Sequence, residues 1–143
     1  PKVAGSTPVF LVFYIFMIQV GTILNVIDNS GAKDVQCLKV YGGFKNRYAF
    51  VGDTILVSVK KLRSKRKAFS KVKKGELCKA VIVRTKTSVK HPNSDNISFL
   101  NNAVVLLSKQ KKLIGTRIFG PLPKSFRKSN LMKFVSLSSG IVS

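Results

Sequence analysis

Short stretches that alternate apolar and polar residues, separated by turn signals, make up most of the chain after residue 20. Such alternation is typical of strands that bury one face. It predicts strands over residues 21–27, 34–41, 54–62, 77–87, 97–99 and 103–108. The clearest predicted turn is Asp28-Asn29-Ser30-Gly31, whose residue types favour tight reversals of the backbone. Many short strands joined by such turns favour a small closed barrel or a sandwich.

Two segments depart from this alternation. The run VFLVFYIFMIQV over residues 9–20 is the most apolar in the chain, but its length of about twelve residues is below the roughly twenty that a membrane-spanning helix needs. Its aromatic and β-branched residues favour a strand or a segment packed on a neighbour. After Gly115, prolines and the spacing of Phe126, Leu131 and Phe134 among basic residues predict one or two short helices.

The net charge indicates what kind of partner the folded chain binds. The 143 residues include 26 Lys or Arg and 5 Asp or Glu, which gives a formal charge of +21. A compact chain with this charge repels itself, and a bound polyanion relieves the repulsion. Because 45% of the residues are hydrophobic, a disordered basic tail is excluded. The composition predicts a folded domain that binds nucleic acid or an anionic membrane surface.

The basic residues are densest between the third and fourth predicted strands. Residues 60–74 (KKLRSKRKAFSKVKK) contain no acid, and they predict a projecting loop or ribbon that binds phosphates. The alternative explanation of this run is a flexible stretch of charged residues exposed to solvent. Further basic residues are spread over several loops, and no recognition helix for a DNA groove is evident. Structured RNA, which can touch several faces of a protein, is therefore favoured.

Residues that could support catalysis or bind a metal are few. His91 has no orienting carboxylate and no nucleophile proposed by the sequence, and the acids form no close pair. Cys37 and Cys78 lack the closely spaced partners of a zinc site. We interpret them as buried reduced thiols, while their spacing alone leaves a disulfide between them open. We expect no catalytic residue, no metal and no cofactor.

A series of short motifs stands in one order along most of the chain. They are MIQ (17–19), DNSGAK (28–33), KVYGG (39–43), RYA (47–49), VGD (51–53), VKKGE (72–76), KAVIVRTK (79–86), NA (102–103), GTRIFGP (115–121) and MK (132–133). Together they resemble the large-subunit ribosomal protein L-fourteen family. The resemblance implies a mainly β protein, a small five-stranded β-barrel with a projecting basic β-ribbon and short C-terminal helices. This single domain would cover residues 17–143, after an apolar N-terminal extension over residues 1–16.

The resemblance also implies a function. It is that of a non-enzymatic structural constituent of the large ribosomal subunit, which binds large-subunit rRNA and contributes to inter-subunit bridges. Implied partners are large-subunit rRNA, neighbouring large-subunit proteins, small-subunit rRNA through the bridges, and a ribosome-silencing factor. The main alternative is a free RNA-binding regulatory protein with a small β-barrel. A nuclease, or a membrane-surface role for the apolar run, is less well supported, and we expect no membrane contact.

The residues expected to act come from the charge pattern and from the resemblance. The expected RNA-binding residues are Asn29, Ser30, Lys33, Lys39, Arg47, Lys60, Lys61, Arg63, Lys65, Arg66, Lys67, Lys71, Lys73, Lys74, Arg84, Lys86 and Lys90. By position, Thr116, Arg117 and Lys133 match the family's surface that faces the small subunit and the silencing factor.

The sequence departs from the family pattern at three places. The extension over residues 1–16 has no family counterpart, Asp95-Asn96 replaces a usual Asp-Gly turn, and SSGIVS (138–143) replaces an acidic tail. The richness in Lys, Phe, Ile and Asn suits an A+T-rich genome, and no import presequence is visible. We therefore expect a protein made inside a mitochondrion and used in matrix ribosomes, with a plastid or the bacterial cytoplasm as the alternatives.

Overall fold

The structure is a computed structural model that describes residues 18–41, 48–63, 70–86, 89–90, 96–97, 101–123, 132–138 and 140–142. In chain order, the described elements are β1 (Ile23–Val26), β2 (Ala32–Val40), β3 (Thr54–Leu62), β4 (Leu77–Arg84), β5 (Val89–Lys90), β6 (Asn96–Ile97), β7 (Ala103–Leu107), β8 (Pro121–Pro123), α1 (Met132–Leu137) and β9 (Gly140–Val142).

Five of these strands close into a barrel in the order β1-β2-β3-β4-β7. Neighbouring strands are antiparallel except at the closure, where β1 runs parallel to β7 and pairs Asn25 with Ala103. The mainly β class and the five-stranded barrel are confirmed, and the sandwich is wrong. Closing the sheet leaves no open edge along these strands, which an isolated sheet would expose to other chains.

The alternation along β2 and β3 puts their apolar side chains inside the barrel. Val35 and Cys37 of β2 and Ile55 and Val57 of β3 are fully buried in one cluster. β7 differs because all five of its residues are buried. Alternate β7 side chains enter the barrel, while the others pack outside it in a second cluster with residues of the C-terminal part. The chain end is therefore fixed to the outer face of the barrel.

The strand register decides how the two cysteines are related. Cys37 and Cys78 both face Val57, one from each neighbouring strand. Two strand spacings place their Cα atoms about 10 Å apart, beyond the reach of a disulfide. Both are free and buried, as predicted. Burial, with the charges of Glu76 and Asp28, raises the pKa of Cys78 to about 11, so this thiol is unreactive at neutral pH.

Several predicted boundaries shift. The 54–62 strand is confirmed, whereas β1 is shorter than its predicted 21–27, since Gly21 has a φ of +94°. β4 ends three residues before its predicted end, and β2 begins two residues before its predicted start. The predicted 97–99 strand corresponds to β6 at its first residue only, and residues 98–100 lie outside the described part.

The C-terminal part contains two strands that the sequence did not predict. β8 and β9 form a parallel pair, with Leu122 opposite Ile141. Helix α1 overlaps the end of the predicted helical segment and continues to Leu137, while residues 124–131 lie outside the described part. Among the described residues, no helix has the length and apolarity needed to cross a membrane.

Candidate nucleic-acid interface

The turn over residues 28–31 joins β1 to β2 and lies where several other segments meet. The close approach of Ser70 to this turn depends on Gly31, which has a φ of +102°. A Cβ atom at this position would lie 2.4 Å from the Cβ and 2.8 Å from the Cα of Ser70. Since real Cβ atoms do not come this close, only glycine lets the returning basic segment pack on the turn.

Asp28 anchors the turn to the barrel from inside. Its carboxylate accepts hydrogen bonds from the amide and hydroxyl of Ser30, and from the amide of Leu106 in β7 at 3.0 Å. Its side chain is fully buried. Burial raises the pKa of Asp28, against the opposing effects of these hydrogen bonds and of the nearby Arg63 charge.

The raised pKa of Asp28 predicts a pH dependence of stability. Above the ordinary pKa of 3.8, the folded state keeps this proton after the unfolded state has lost it. The contribution of Asp28 to the free energy of unfolding therefore falls as pH rises through the folded pKa. Urea unfolding at pH 4 and pH 7 should show that the stability advantage of the natural protein over Asp28→Asn shrinks at the higher pH. An advantage that stays constant or grows would contradict this assignment.

Asn29 connects the turn to the loop that carries two of the expected subunit-interface residues. Its Nδ2 donates to the Thr116 hydroxyl at 2.8 Å, and its Oδ1 accepts from the amides of Thr116 and Arg117. A Cβ atom at Gly115 would lie 2.8 Å from Asn29 Oδ1, so a glycine is needed here for the loop to approach. The structure thus places an expected RNA-binding residue directly against the expected subunit-facing loop.

Both described ends of the basic segment attach to the same turn. The amide of Arg63 donates to the carbonyl of Gly31 at 2.9 Å, and the amide of Lys71 donates to the carbonyl of Ser30 at 2.8 Å. The Lys71 ammonium donates to the carbonyl of Ile114, and Val72 enters the barrel core. Residues 70–72, counted in the predicted projection, therefore pack against the barrel instead, while Lys73 and Lys74 are exposed. Residues 64–69 lie outside the described part.

Most expected RNA-binding lysines are available at the surface. The exposed ones in the described part are Lys33, Lys39, Lys60, Lys61, Lys71, Lys73, Lys74 and Lys86. Arg47, Lys65, Arg66 and Lys67 lie outside the described residues, and only the backbone of Lys90 is described.

Besides Asn29 and Lys71, three more members of the expected RNA-binding set have side chains bound inside the protein. Ser30 is fully buried against Asp28. Arg63 donates to the carbonyl of Val26 at 3.0 Å and lies 5.6 Å from the centre of the Phe119 ring. Arg84 donates to the carbonyl of Phe119 at 2.9 Å, and burial lowers its pKa. These side chains hold loops on the barrel. The Ser30 hydroxyl is closed to RNA by its burial, whereas Arg63 and Arg84 are partly exposed and their contact with RNA stays a prediction.

The expected subunit-interface residues lie on segments that pack together. Thr116 and Arg117 are exposed on the loop held by Asn29, and Lys133 is exposed on α1. The amide of Ile118 donates to the carbonyl of Leu137 at the end of α1. Ile118 also shares an apolar cluster with the neighbouring helix residue Phe134.

Sequence reasoning did not select two residues of the barrel wall, the exposed Tyr41 and the half-buried Lys79. The ammonium groups of Lys39 and Lys79 each lie 5.6 Å from the centre of the Tyr41 ring. The alternation along β4 marks Lys79 as an outward residue, but its proximity to Tyr41 depends on the pairing of β2 and β4 with β3.

The described residues contain no group of three His, Cys, Asp or Glu side chains that could hold a metal. The candidate interface combines exposed lysines, a tight turn and side chains that donate hydrogen bonds to backbone carbonyls, all around the barrel.

The sequence model of the family described as Ribosomal protein L14p/L23e matches residues 17–142. The chain belongs to this family. It is therefore a structural constituent of the large ribosomal subunit and is located at the ribosome. The family is one of ribosomal proteins rather than of enzymes.

Proposed function

We propose that this L14-family protein binds large-subunit rRNA through the lysines around the 28–31 turn and contributes to inter-subunit bridges through its 116–117 loop. The supporting observation is the convergence on one turn of both ends of the basic segment and of the 116–117 loop. The 28–31 turn therefore sets the position of the proposed RNA-binding lysines relative to the proposed bridge loop.

The proposed RNA contact is electrostatic. Exposed lysines flank the turn at Lys33, at Lys60 and Lys61 at the end of β3, and at Lys71, Lys73 and Lys74 after the basic segment. Their binding to phosphates would release condensed counterions, and the stiff barrel would hold the bound RNA helices at fixed positions. Arg47, Lys65, Arg66, Lys67 and Lys90 remain members of this proposed contact by sequence.

The proposed bridge surface is formed by Thr116, Arg117 and Lys133. Asn29 fixes the backbone of the first two, and the third extends from a helix packed against the same region. We place small-subunit rRNA and a ribosome-silencing factor on this surface, so the two should exclude each other. The remaining proposed partners are neighbouring large-subunit proteins.

We further propose a mitochondrial large subunit as the site of action, with a plastid or bacterial ribosome as the alternatives. The support is compositional, because the bias to Lys, Phe, Ile and Asn suits an A+T-rich genome. The division into an extension over residues 1–16 and a domain over residues 17–143 also stays a proposal. It agrees with a family match that begins at residue 17.

Sedimentation of tagged protein from fractionated cells tests the proposed function. We expect the protein to sediment with large subunits and whole ribosomes from mitochondria at low salt, and to be released as salt is raised. A protein that stays at the top of the gradient would instead support the free RNA-binding regulator. Sedimentation with plastid or bacterial ribosomes would contradict only the proposed mitochondrial location and not the proposed function.

A further inference from the structure

The outer wall of the barrel carries a basic and aromatic surface that lies apart from the 28–31 turn. Lys39 of β2 pairs with Leu56 of β3, and Leu56 pairs with Lys79 of β4. Side chains of paired residues stand on the same face of a sheet, at a spacing of about 4.8 Å between strands. The two lysines therefore flank Leu56 on the outside of the barrel, with their Cα atoms about 10 Å apart.

Tyr41 completes this surface. It follows the last residue of β2, its side chain is 36% exposed, and both ammonium groups lie 5.6 Å from the centre of its ring. Leu77, two residues before Lys79 on the same strand, adds a side chain that is 54% exposed. The surface thus combines an accessible aromatic ring, two cations beside it and an apolar surround.

We propose that Tyr41, Lys39 and Lys79 form a stacking site for one unpaired nucleotide of a single-stranded RNA segment. The base stacks on the Tyr41 ring, and the two ammonium groups neutralise the phosphates on either side of it. This inference rests on the proposed function for its RNA partner, and it adds a second, structurally separate contact of a different kind.

The chemistry of the surface favours RNA over a protein partner. Among the described residues, neither Lys39 nor Lys79 forms an ion pair with a carboxylate. An acidic protein segment would satisfy the charges, but it would leave the face of the aromatic ring without a matching group. A nucleotide supplies a phosphate for each cation and a flat base for the ring.

The two ring–ammonium contacts do not prevent stacking. A cation near an exposed ring is held weakly, because water solvates the ammonium group in competition with the ring. Both lysines have long flexible side chains that can move from the ring to a phosphate. The ring itself is positioned at the end of a barrel strand, which limits the entropy lost when a base stacks on it.

Fluorescence anisotropy with two labelled RNAs tests the site in the full chain. The probes are a twelve-nucleotide uridine single strand and a twelve-base-pair RNA duplex. We expect Tyr41→Leu to weaken single-strand binding by roughly five- to a hundredfold, and to leave duplex binding within about twofold. Tyr41→Phe keeps the ring and should bind both RNAs as the natural protein does. Phe50→Leu is the matched control, since Phe50 is 51% exposed in a different turn.

The lysines are tested by the salt dependence of single-strand binding. Lys39→Gln with Lys79→Gln should reduce the slope of log K against log salt by about 1.4, since each phosphate contact on a single strand contributes about 0.7. Thermal unfolding of each variant checks that the barrel is intact. A slope equal to that of the natural protein would overturn the role of the two cations.

The outcomes separate this site from the proposed function. If Tyr41→Leu binds the single strand as Phe50→Leu does, while salt-dependent duplex binding persists, only the stacking site is wrong. If the natural protein binds neither RNA, the proposed function fails as well. If an oligoglutamate peptide binds the natural protein but not Tyr41→Leu, and the single strand is unaffected, the surface recognises an acidic protein segment and the RNA assignment is overturned.

Discussion

Replacing Gly31 by alanine is expected to lower the free energy of unfolding by about 2–5 kcal/mol. Part of this cost is conformational, because the φ of +102° is one that residues with a Cβ atom rarely adopt. The larger part is steric, since the new Cβ atom would lie 2.8 Å from a backbone atom of Ser70. Relief of this overlap requires the returning basic segment to move off the turn. Chemical denaturation of the isolated protein measures the loss.

Gly75→Ala is the matched control for this substitution. Gly75 also has a positive φ, at +84°, but a Cβ atom there would meet nothing within 4 Å. We expect Gly75→Ala to cost only the conformational part, about 1–2 kcal/mol. Equal losses for the two variants would show that the close approach of Ser70 to the turn contributes nothing to stability.

Neutralising the exposed lysines at both ends of the basic segment is expected to produce the largest loss of RNA affinity. Glutamine at Lys60, Lys61, Lys71, Lys73 and Lys74 removes five positive charges from the exposed surface near the 28–31 turn. If each contacts a phosphate of duplex RNA, the slope of log K against log salt should fall by about 4 to 5. The affinity for large-subunit rRNA fragments at physiological salt should then fall by about a thousandfold or more.

Arginine at the same five positions is the control for this change, because it keeps the charge and changes the side chain. We expect the arginine variant to retain the salt slope of the natural protein. Filter binding over a range of salt concentrations measures both variants. A glutamine variant with an unchanged slope would contradict the assignment of these lysines to phosphates.

The strands could be predicted because they depend on local pattern, whereas that pattern left a barrel and a sandwich open and only the family resemblance implied the barrel. β1 and the first residues of β3 and β4 alternate buried and more exposed residues, and turn residues such as Asp28 and Gly31 separate strands, so local pattern located β2, β3 and β4 within a few residues. β8 and β9 were missed because three-residue strands are too short to show a period. The first also contains two prolines, which propensity assigns to loops.

The roles of individual cations could not be predicted from the sequence. Lys60 and Arg63 belong to the same charge run, yet the first is exposed and the second binds a carbonyl of β1 across 37 residues of sequence. Which cation turns inward depends on the loop that happens to lie beside it in three dimensions. The proximity of Tyr41 to Lys79 depends in the same way on the register of two strand pairs.

A site-directed cleavage experiment tests the central claim most directly, namely that the surface around the 28–31 turn faces large-subunit rRNA. Cys37 and Cys78 are buried, so an iron chelate would attach selectively to a cysteine introduced at the exposed Lys33. In assembled ribosomes, we predict that radicals from this position cut large-subunit rRNA close to the probe. No cleavage of large-subunit rRNA from Lys33→Cys, in particles where a probe at Thr116→Cys does cut RNA, would contradict the account.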